Sequence, residues 1–300
     1  MSDYTYKASF NMTVEFVMEN LEKYTFPNIR KQIQSVEIKN PIMAVSVTKD
    51  DNLVGLCISE FDSGKKYSEI FSFYIDPKHR NSGIGTEMLV KTEQILSQKG
   101  FDEVRCYIWS SWESSETTKR MVKRLGWEEP AKLMQIFKTD TARVINIPWK
   151  DNVSLPEGYE IIPWSWISPE EKKEIMDEQE FSDYYPDNLS PFYHQERIAF
   201  HTSLALKFKN KIIGWLMIYW NSPDTLEYNN LFIKKEYRES LSIPMEMIRK
   251  ASLLQVEQGV PNIIWTVGHE NPLLEQFFEK KFGDFGDKAI IYGSSKKLQN

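Results

Sequence analysis

Three observations in the 300-residue sequence predict an α/β (α+β) protein built from two tandem, related domains. Landmarks of the first half return in the second at a nearly constant spacing. An apolar strand ending at Asp76-Pro77 runs into a glycine-rich turn, Arg80-Asn81-Ser82-Gly83-Ile84-Gly85-Thr86, and then into a helical pattern. Hydrophobic residues make up 41% of the chain, enough for two cores at this length.

The repeat sets the domain plan. Asp50-Asp51-Asn52-Leu53-Val54-Gly55 resembles Lys209-Asn210-Lys211-Ile212-Ile213-Gly214, and each reads as a polar turn followed by a strand. Gly214 lies 159 positions after Gly55, Arg238 lies 158 after Arg80, and Gly283 lies 157 after Gly126. The expected division is a first domain over 1–140, a linker over 141–158 and a second domain over 159–300. Inside the linker, 143–147 reads as a short strand.

In the first domain the patterns predict a strand over 5–9, helices over 12–21 and 28–36, and antiparallel strands over 43–48 and 53–60. Residues 69–75 are apolar on both faces, as in a central strand. Ile84, Met88 and Ile95, with Leu89 and Leu96, recur at helical spacing, and Lys99-Gly100 closes that helix. A strand over 104–109, a helix over 117–125 and a final strand over 133–138 complete the domain. The second opens with a strand at 159–162, and Ser168-Pro169-Glu170-Glu171 is a capping sequence for the next helix.

The glycine turn is the chemically informative element. A helix start presents N–H groups without partners, and its dipole favours an anion there. Glycine removes the side chain that would hold a phosphate off the backbone. A dinucleotide fingerprint needs a third glycine where Met88 stands, and a Walker loop needs Gly-Lys-Ser/Thr where Gly85-Thr86-Glu87 stands.

Arg-x-x-Gly-x-Gly between this strand and this helix resembles motif A of the GNAT acetyltransferases. The resemblance implies two tandem GNAT-like domains, each a mixed, mostly antiparallel sheet with a splayed central strand pair and flanking helices. It implies that Arg80, Asn81, Ser82, Gly83, Ile84, Gly85 and Thr86 hold the pyrophosphate of acetyl-coenzyme A, mainly by N–H groups. Phe73, Tyr74 and Ile75 then line the pantetheine arm, with Phe73 and Ile75 offering backbone groups, and Ser115 adds a contact. The family's donor tyrosine falls on Val122, which has no proton to give. Tyr107 is the substitute donor and Glu69 the candidate base, with Glu60 and Asp62 as alternatives. Trp109 and Trp112 are candidates for lining the acceptor cavity or the arm.

In the second copy, Leu241-Ser242-Ile243 faces Gly83-Ile84-Gly85 and is followed by Pro244, which suits a first helical position. Side chains there would obstruct a phosphate, so this copy is expected to keep the fold without the cofactor. Its aromatic segment 181–194 either roofs the first domain's acceptor site or packs locally.

A net charge of −6 with no basic stripe argues against nucleic acid as the main partner. The absence of 18 consecutive apolar residues argues against a membrane span. No signal-peptide pattern opens the chain, and Cys57 and Cys106 read as reduced buried thiols, with a single disulfide as the alternative, so a cytoplasmic location is expected. Four scattered histidines offer no metal-ligand spacing. The expected activity is transfer of an acetyl group to an amine of a small molecule or peptide by direct attack. The alternative is a non-catalytic acetyl-coenzyme A sensor or interaction protein, and a homodimer is compatible with either.

Overall fold

In the computed structural model the chain divides into two units, Met1–Leu133 with Ile290–Asn300, and Met134–Ala289. The structure describes residues 4–12, 42–61, 64–146, 155–182, 184–238, 242–269, 275–276, 278–280 and 286–299. The helices expected over 12–21 and 28–36 lie outside these, apart from Met12, which ends a strand.

The first half gives β1 (Tyr4–Met12), β2 (Ile42–Lys49), β3 (Asn52–Glu60), β4 (Tyr67–Ile75), α1 (Ile84–Gln98), β5 (Glu103–Trp109) and α2 (Ser115–Arg124). Then come β6 (Ala131–Asp140), α3 (Thr141–Ile145), β7 (Tyr159–Pro163), α4 (Pro169–Ser182), β8 (Leu204–Phe208) and β9 (Lys211–Ser222). The chain ends with β10 (Thr225–Ile233), α5 (Ser242–Glu257), β11 (Asn262–Gly268) and β12 (Asp287–Lys297).

Within the first unit the strand order is β1-β2-β3-β4-β5-β12; within the second it is β7-β8-β9-β10-β11-β6. Both sheets are antiparallel except at one central pair, β4 with β5 and β10 with β11. Each unit is therefore closed by a strand from the other half of the sequence. The strand expected to finish the first domain pairs instead with β11, Met134 opposite Gly268 through Asp140 opposite Asn262. In its place β12 lies against β5, from Ile291 opposite Trp109 to Lys297 opposite Glu103. A strand's pattern fixes which side chains face a core, not which edge it joins, so the division expected at 140 and 159 is displaced.

The central helices show how closely the units match. α1 buries Ile84, Met88, Leu89, Thr92, Glu93 and Leu96, and α5 buries Ile243, Met247, Ile248, Ala251, Ser252 and Gln255. Every pair is 159 residues apart. Fully burying each aliphatic side chain of this set stabilises its unit by about 1.5–3 kcal/mol. Gly100 and Gly259, both at positive φ, follow the two helices. This matching corrects the loop alignment by one residue: Ile243 stands for Ile84, so Ser242 and Pro244 stand for Gly83 and Gly85. Pro244 is the third residue of α5 and not its first. It still falls in the first turn, where no intrahelical partner needs its missing N–H.

Local chemistry accounts for other elements. Asp50-Asp51 and Lys209-Asn210 take positive φ, as a two-residue hairpin turn requires. Ser168 and Glu171 form a reciprocal capping box: the Ser168 N–H donates to Glu171 Oε2 at 2.9 Å and the Glu171 N–H to Ser168 Oγ at 3.2 Å. The short strand expected over 143–147 is instead the helix α3 over its described part. The Asp140 side chain accepts from the Arg143 N–H at 2.8 Å and caps that turn, overriding the β-branched Val144-Ile145.

Candidate active site

The site begins with a bulge. β3 and β4 pair Ile58 with Ser72 but Ser59 with Ile70, which leaves Phe71 as the extra residue. A bulge bends and re-aims its strand. On the other edge, β4 and β5 pair for only four residues, ending at Ile70 opposite Cys106. Beyond that the strands part, and a cleft opens between Phe71, Ser72 and Phe73 on one side and Tyr107 and Ile108 on the other. Trp112, Ser114, Thr118 and Val122 lie along the rest of its wall.

At the end of β4 the chain turns through Pro77–His79, with the Asp76 side chain accepting from the Lys78 N–H at 2.9 Å. Arg80 Nε donates to Ile75 O at 3.0 Å and Ser82 Oγ to His79 O at 2.5 Å, fastening the loop to the strand it leaves. Asn81 takes φ 62° and Gly83 φ 87°, a left-handed conformation that suits glycine. The Glu87 N–H, donated to Gly83 O at 3.1 Å, is the first backbone bond of α1. The amides of Ile84, Gly85 and Thr86 are thus the orphan donors of a helix start. A Cβ on Gly85 would meet Phe73 and Ile75 only at ordinary distances of 3.5 and 3.7 Å. Packing does not demand glycine there.

Three buried hydroxyls have no hydrogen-bond partner among the described residues: Ser59 Oγ on β3, Ser72 Oγ on the strand that lines the cleft, and Ser115 Oγ at the start of α2, next to the lining residue Ser114. Ser114 precedes the helix without making a side-chain cap. Orphaned buried hydroxyls beside an open cleft fit a polar ligand arm. The residues present therefore suit acetyl-coenzyme A: helix-start amides for the pyrophosphate, and an apolar cleft with hydroxyls for the pantetheine.

Tyr107 lines the cleft, and its hydroxyl lies 3.5 Å from Glu69 Oε2. Burial, reinforced by the nearby Glu60 charge, raises the Glu69 carboxyl above its ordinary range. Burial and then the Glu69 charge raise the Tyr107 phenol in turn. Glu60 is engaged by Lys65 at 2.8 Å, and Asp62 lies outside the described residues. Tyr74 pairs with Leu56 and does not line the cleft, whereas Phe73 does and Ile75 lies beside Gly85. Trp112 lines the cleft, and Trp109 stacks on it at 6.4 Å between ring centroids.

Sequence reasoning missed Arg124, whose Nη2 donates to Thr86 Oγ1 at 3.0 Å. It also missed Glu93, buried on α1 between Trp127 Nε1 at 2.6 Å and Lys296 Nζ at 2.5 Å. Both neighbour the Gly126-Trp127 landmark. Among the described residues no cluster of three or more His, Cys, Asp or Glu is placed to hold a metal, and no helix is long and apolar enough to cross a membrane.

The second unit differs at the same place. β10 and β11 also pair for four residues, ending at Tyr228 opposite Trp265, so Trp265 stands where Cys106 stands in the first unit. The buried Trp265 ring packs against Tyr228 and Phe278, at 5.7 and 5.8 Å. Glu227, the counterpart of Glu69, is held by Arg197 at 3.3 Å and by Asn229 Nδ2 at 3.0 Å. Tyr184 and Tyr185 of the aromatic segment pack on Trp215 and Phe232 within this unit.

A sequence profile of the Acetyltransferase (GNAT) family matches residues 10–127. No curated protein matches the sequence. Among solved structures, a tandem GNAT protein from the clavulanic acid biosynthesis pathway, determined without acetyl-CoA, is similar over 99% of both chains, with TM-score 0.66 and 12% identity. A GCN5-related glucosamine N-acetyltransferase region of a fungal multi-domain GH3 β-N-acetylglucosaminidase gives TM-score 0.68 and 14% identity, over 98% of this chain and 38% of that one. A GCN5-related N-acetyltransferase from Sphaerobacter thermophilus gives 0.63 and 11%, over 99% and 96%. At such identities the structural likeness is one of fold, and it extends through both halves. The first half thus resembles the Acetyltransferase (GNAT) family in sequence, and both halves share the fold of tandem GNAT proteins.

Proposed function

We propose that the first unit is an acetyl-coenzyme A-dependent N-acetyltransferase acting on an amine, and that the second unit is a copy that has lost the cofactor. The observation that carries this reading is the cleft at the splayed β4/β5 pair together with the glycine start of α1 and the Glu69–Tyr107 pair. The amides from Asn81 to Thr86 hold the pyrophosphate. Phe73 and Ile75 offer backbone groups to the pantetheine arm, and the Ser72 and Ser115 hydroxyls are the nearby groups that still lack partners.

The coenzyme supplies a thioester acyl group and a thiol that titrates near 8.5, so its departure needs little assistance. An amine of pKa about 10 is mostly protonated at neutral pH and must lose a proton before it attacks. Glu69 takes that proton, directly or through water, and its raised affinity for protons suits the task. Tyr107, whose phenol is raised by burial and the Glu69 charge, keeps its proton at neutral pH and is the proposed donor to the departing sulfur. The buried thiols Cys57 and Cys106, both pushed up to about 12, are poor nucleophiles, which favours direct attack over a covalent enzyme intermediate.

Release of free thiol from acetyl-coenzyme A across a panel of amines tests the proposal, with Glu69→Gln as the control. Amine-dependent release that Glu69→Gln suppresses supports it. Tight binding with no amine-dependent release would instead favour a non-catalytic acetyl-coenzyme A sensor, the reading for which the buried Val122 speaks.

A further inference from the structure

Two arginines flank the glycine loop, and the duplicated unit shows what the first of them does. Arg80 Nε donates to Ile75 O, five residues back, at 3.0 Å. Arg238 Nε donates to Ile233 O, also five residues back, at 2.5 Å. The second unit keeps this bond although Ser242 and Pro244 have replaced the loop glycines. An arginine kept with the same contact where the phosphate loop is lost serves what both units share, the turn off the end of the central strand. The Arg80 guanidinium is further occupied by Glu113, 3.3 Å from Nη1.

Arg124 is different. It is exposed at the end of α2 and is held beside the first turn of α1 by a neutral hydroxyl, Thr86 Oγ1. It makes no ion pair among the described residues, whereas its neighbour Lys123 is paired with Glu129 at 2.6 Å. A cation whose charge is uncompensated, tethered at an anion-binding helix start, is ready to meet a phosphate. We infer that Arg124 is the side-chain cation of the pyrophosphate site, and that Arg80 is a positioning residue that fastens the loop. This inference rests on the reading that the first unit binds acetyl-coenzyme A.

Calorimetric affinities test it with three ligands: acetyl-coenzyme A, its form lacking the 3′-phosphate, and acetylpantetheine, which lacks the nucleotide and pyrophosphate. The proteins are wild type, Arg124→Gln and Arg80→Met, each at low and high salt. Arg124→Gln weakens both pyrophosphate ligands by about tenfold at low salt and by less at high salt, and leaves acetylpantetheine unchanged. Arg80→Met lowers the unfolding temperature, as Arg238→Met does, and any loss of affinity it causes is insensitive to salt. Wild-type affinity in Arg124→Gln overturns the inference, and so does a loss confined to the ligand carrying the 3′-phosphate. Failure of the wild type to bind acetyl-coenzyme A would instead overturn the proposed function, and this inference with it.

Discussion

The first unit keeps its central strand pair open where the second has closed it with aromatic rings. Both pairs stop after four residues, and the last partner is Cys106 in one and Trp265 in the other. Both central helices bury the same six positions, yet one begins Gly-Ile-Gly and the other Ser-Ile-Pro. Both central strands carry a glutamate, but Glu69 faces Tyr107 while Glu227 is bound by Arg197. Packing positions and binding positions have thus diverged independently. The core tolerates no change of pattern because every buried side chain touches several others. The loop positions touch little within the protein, a Cβ at Gly83 meeting nothing within 4 Å, so the fold places few packing demands on them.

The two glutamates offer the largest expected contrast. Glu69→Gln lowers turnover by roughly 10²–10⁴-fold and leaves acetyl-coenzyme A affinity unchanged; Glu227→Gln leaves turnover unchanged. A base must be deprotonated to act, so turnover falls as pH drops through the Glu69 titration. Because burial and Glu60 raise that group, the acid limb lies above the ordinary carboxylate range, and it disappears in Glu69→Gln. A steady-state pH profile of both variants checks this.

Next comes the filled cleft. Trp265→Ala removes a buried ring from the second unit and costs about 3–5 kcal/mol in urea unfolding, without creating a coenzyme site. Cys106→Trp, the reciprocal change, closes the first unit's cleft and abolishes acetyl-coenzyme A binding.

The smallest effect is alkaline. Both cysteines lie in the first unit and are buried, and their thiols are raised from an ordinary 9.0 to about 12. Above pH 9 the unfolded chain releases protons that the folded one retains. Their contribution to stability is therefore complete below 9 and is lost as pH rises from 9 towards 12. Cys57→Ala should flatten the fall in urea midpoint between pH 8 and 10.

Much of this contrast was legible in the sequence, since the helical spacing of Ile84, Met88 and Leu89 and the glycines beside them are local signals. What was hidden depends on pairing. Nothing in the pattern of 131–140 or 287–297 states which sheet edge each strand joins. The bulge at Phe71, which bends β4 beside the opening, depends on Ser59 and Ile70 being partners. Helix α3 was hidden because Val144 and Ile145 favour strands, and a single cap at Asp140 decides otherwise. The loop alignment was off by one residue because burial, not sequence likeness, identifies Ile243 with Ile84. Arg124 meets Thr86 across 38 positions, a contact that no spacing rule reveals.

Calorimetric titration of acetyl-coenzyme A into wild type, and into a variant carrying Gly83→Ser and Gly85→Pro, tests the central claim most directly. The account predicts one site per chain, lost when the second unit's residues are transplanted into the first unit's loop, with the unfolding temperature lowered only slightly. Two sites per chain, or a single site that survives the transplant, would contradict it.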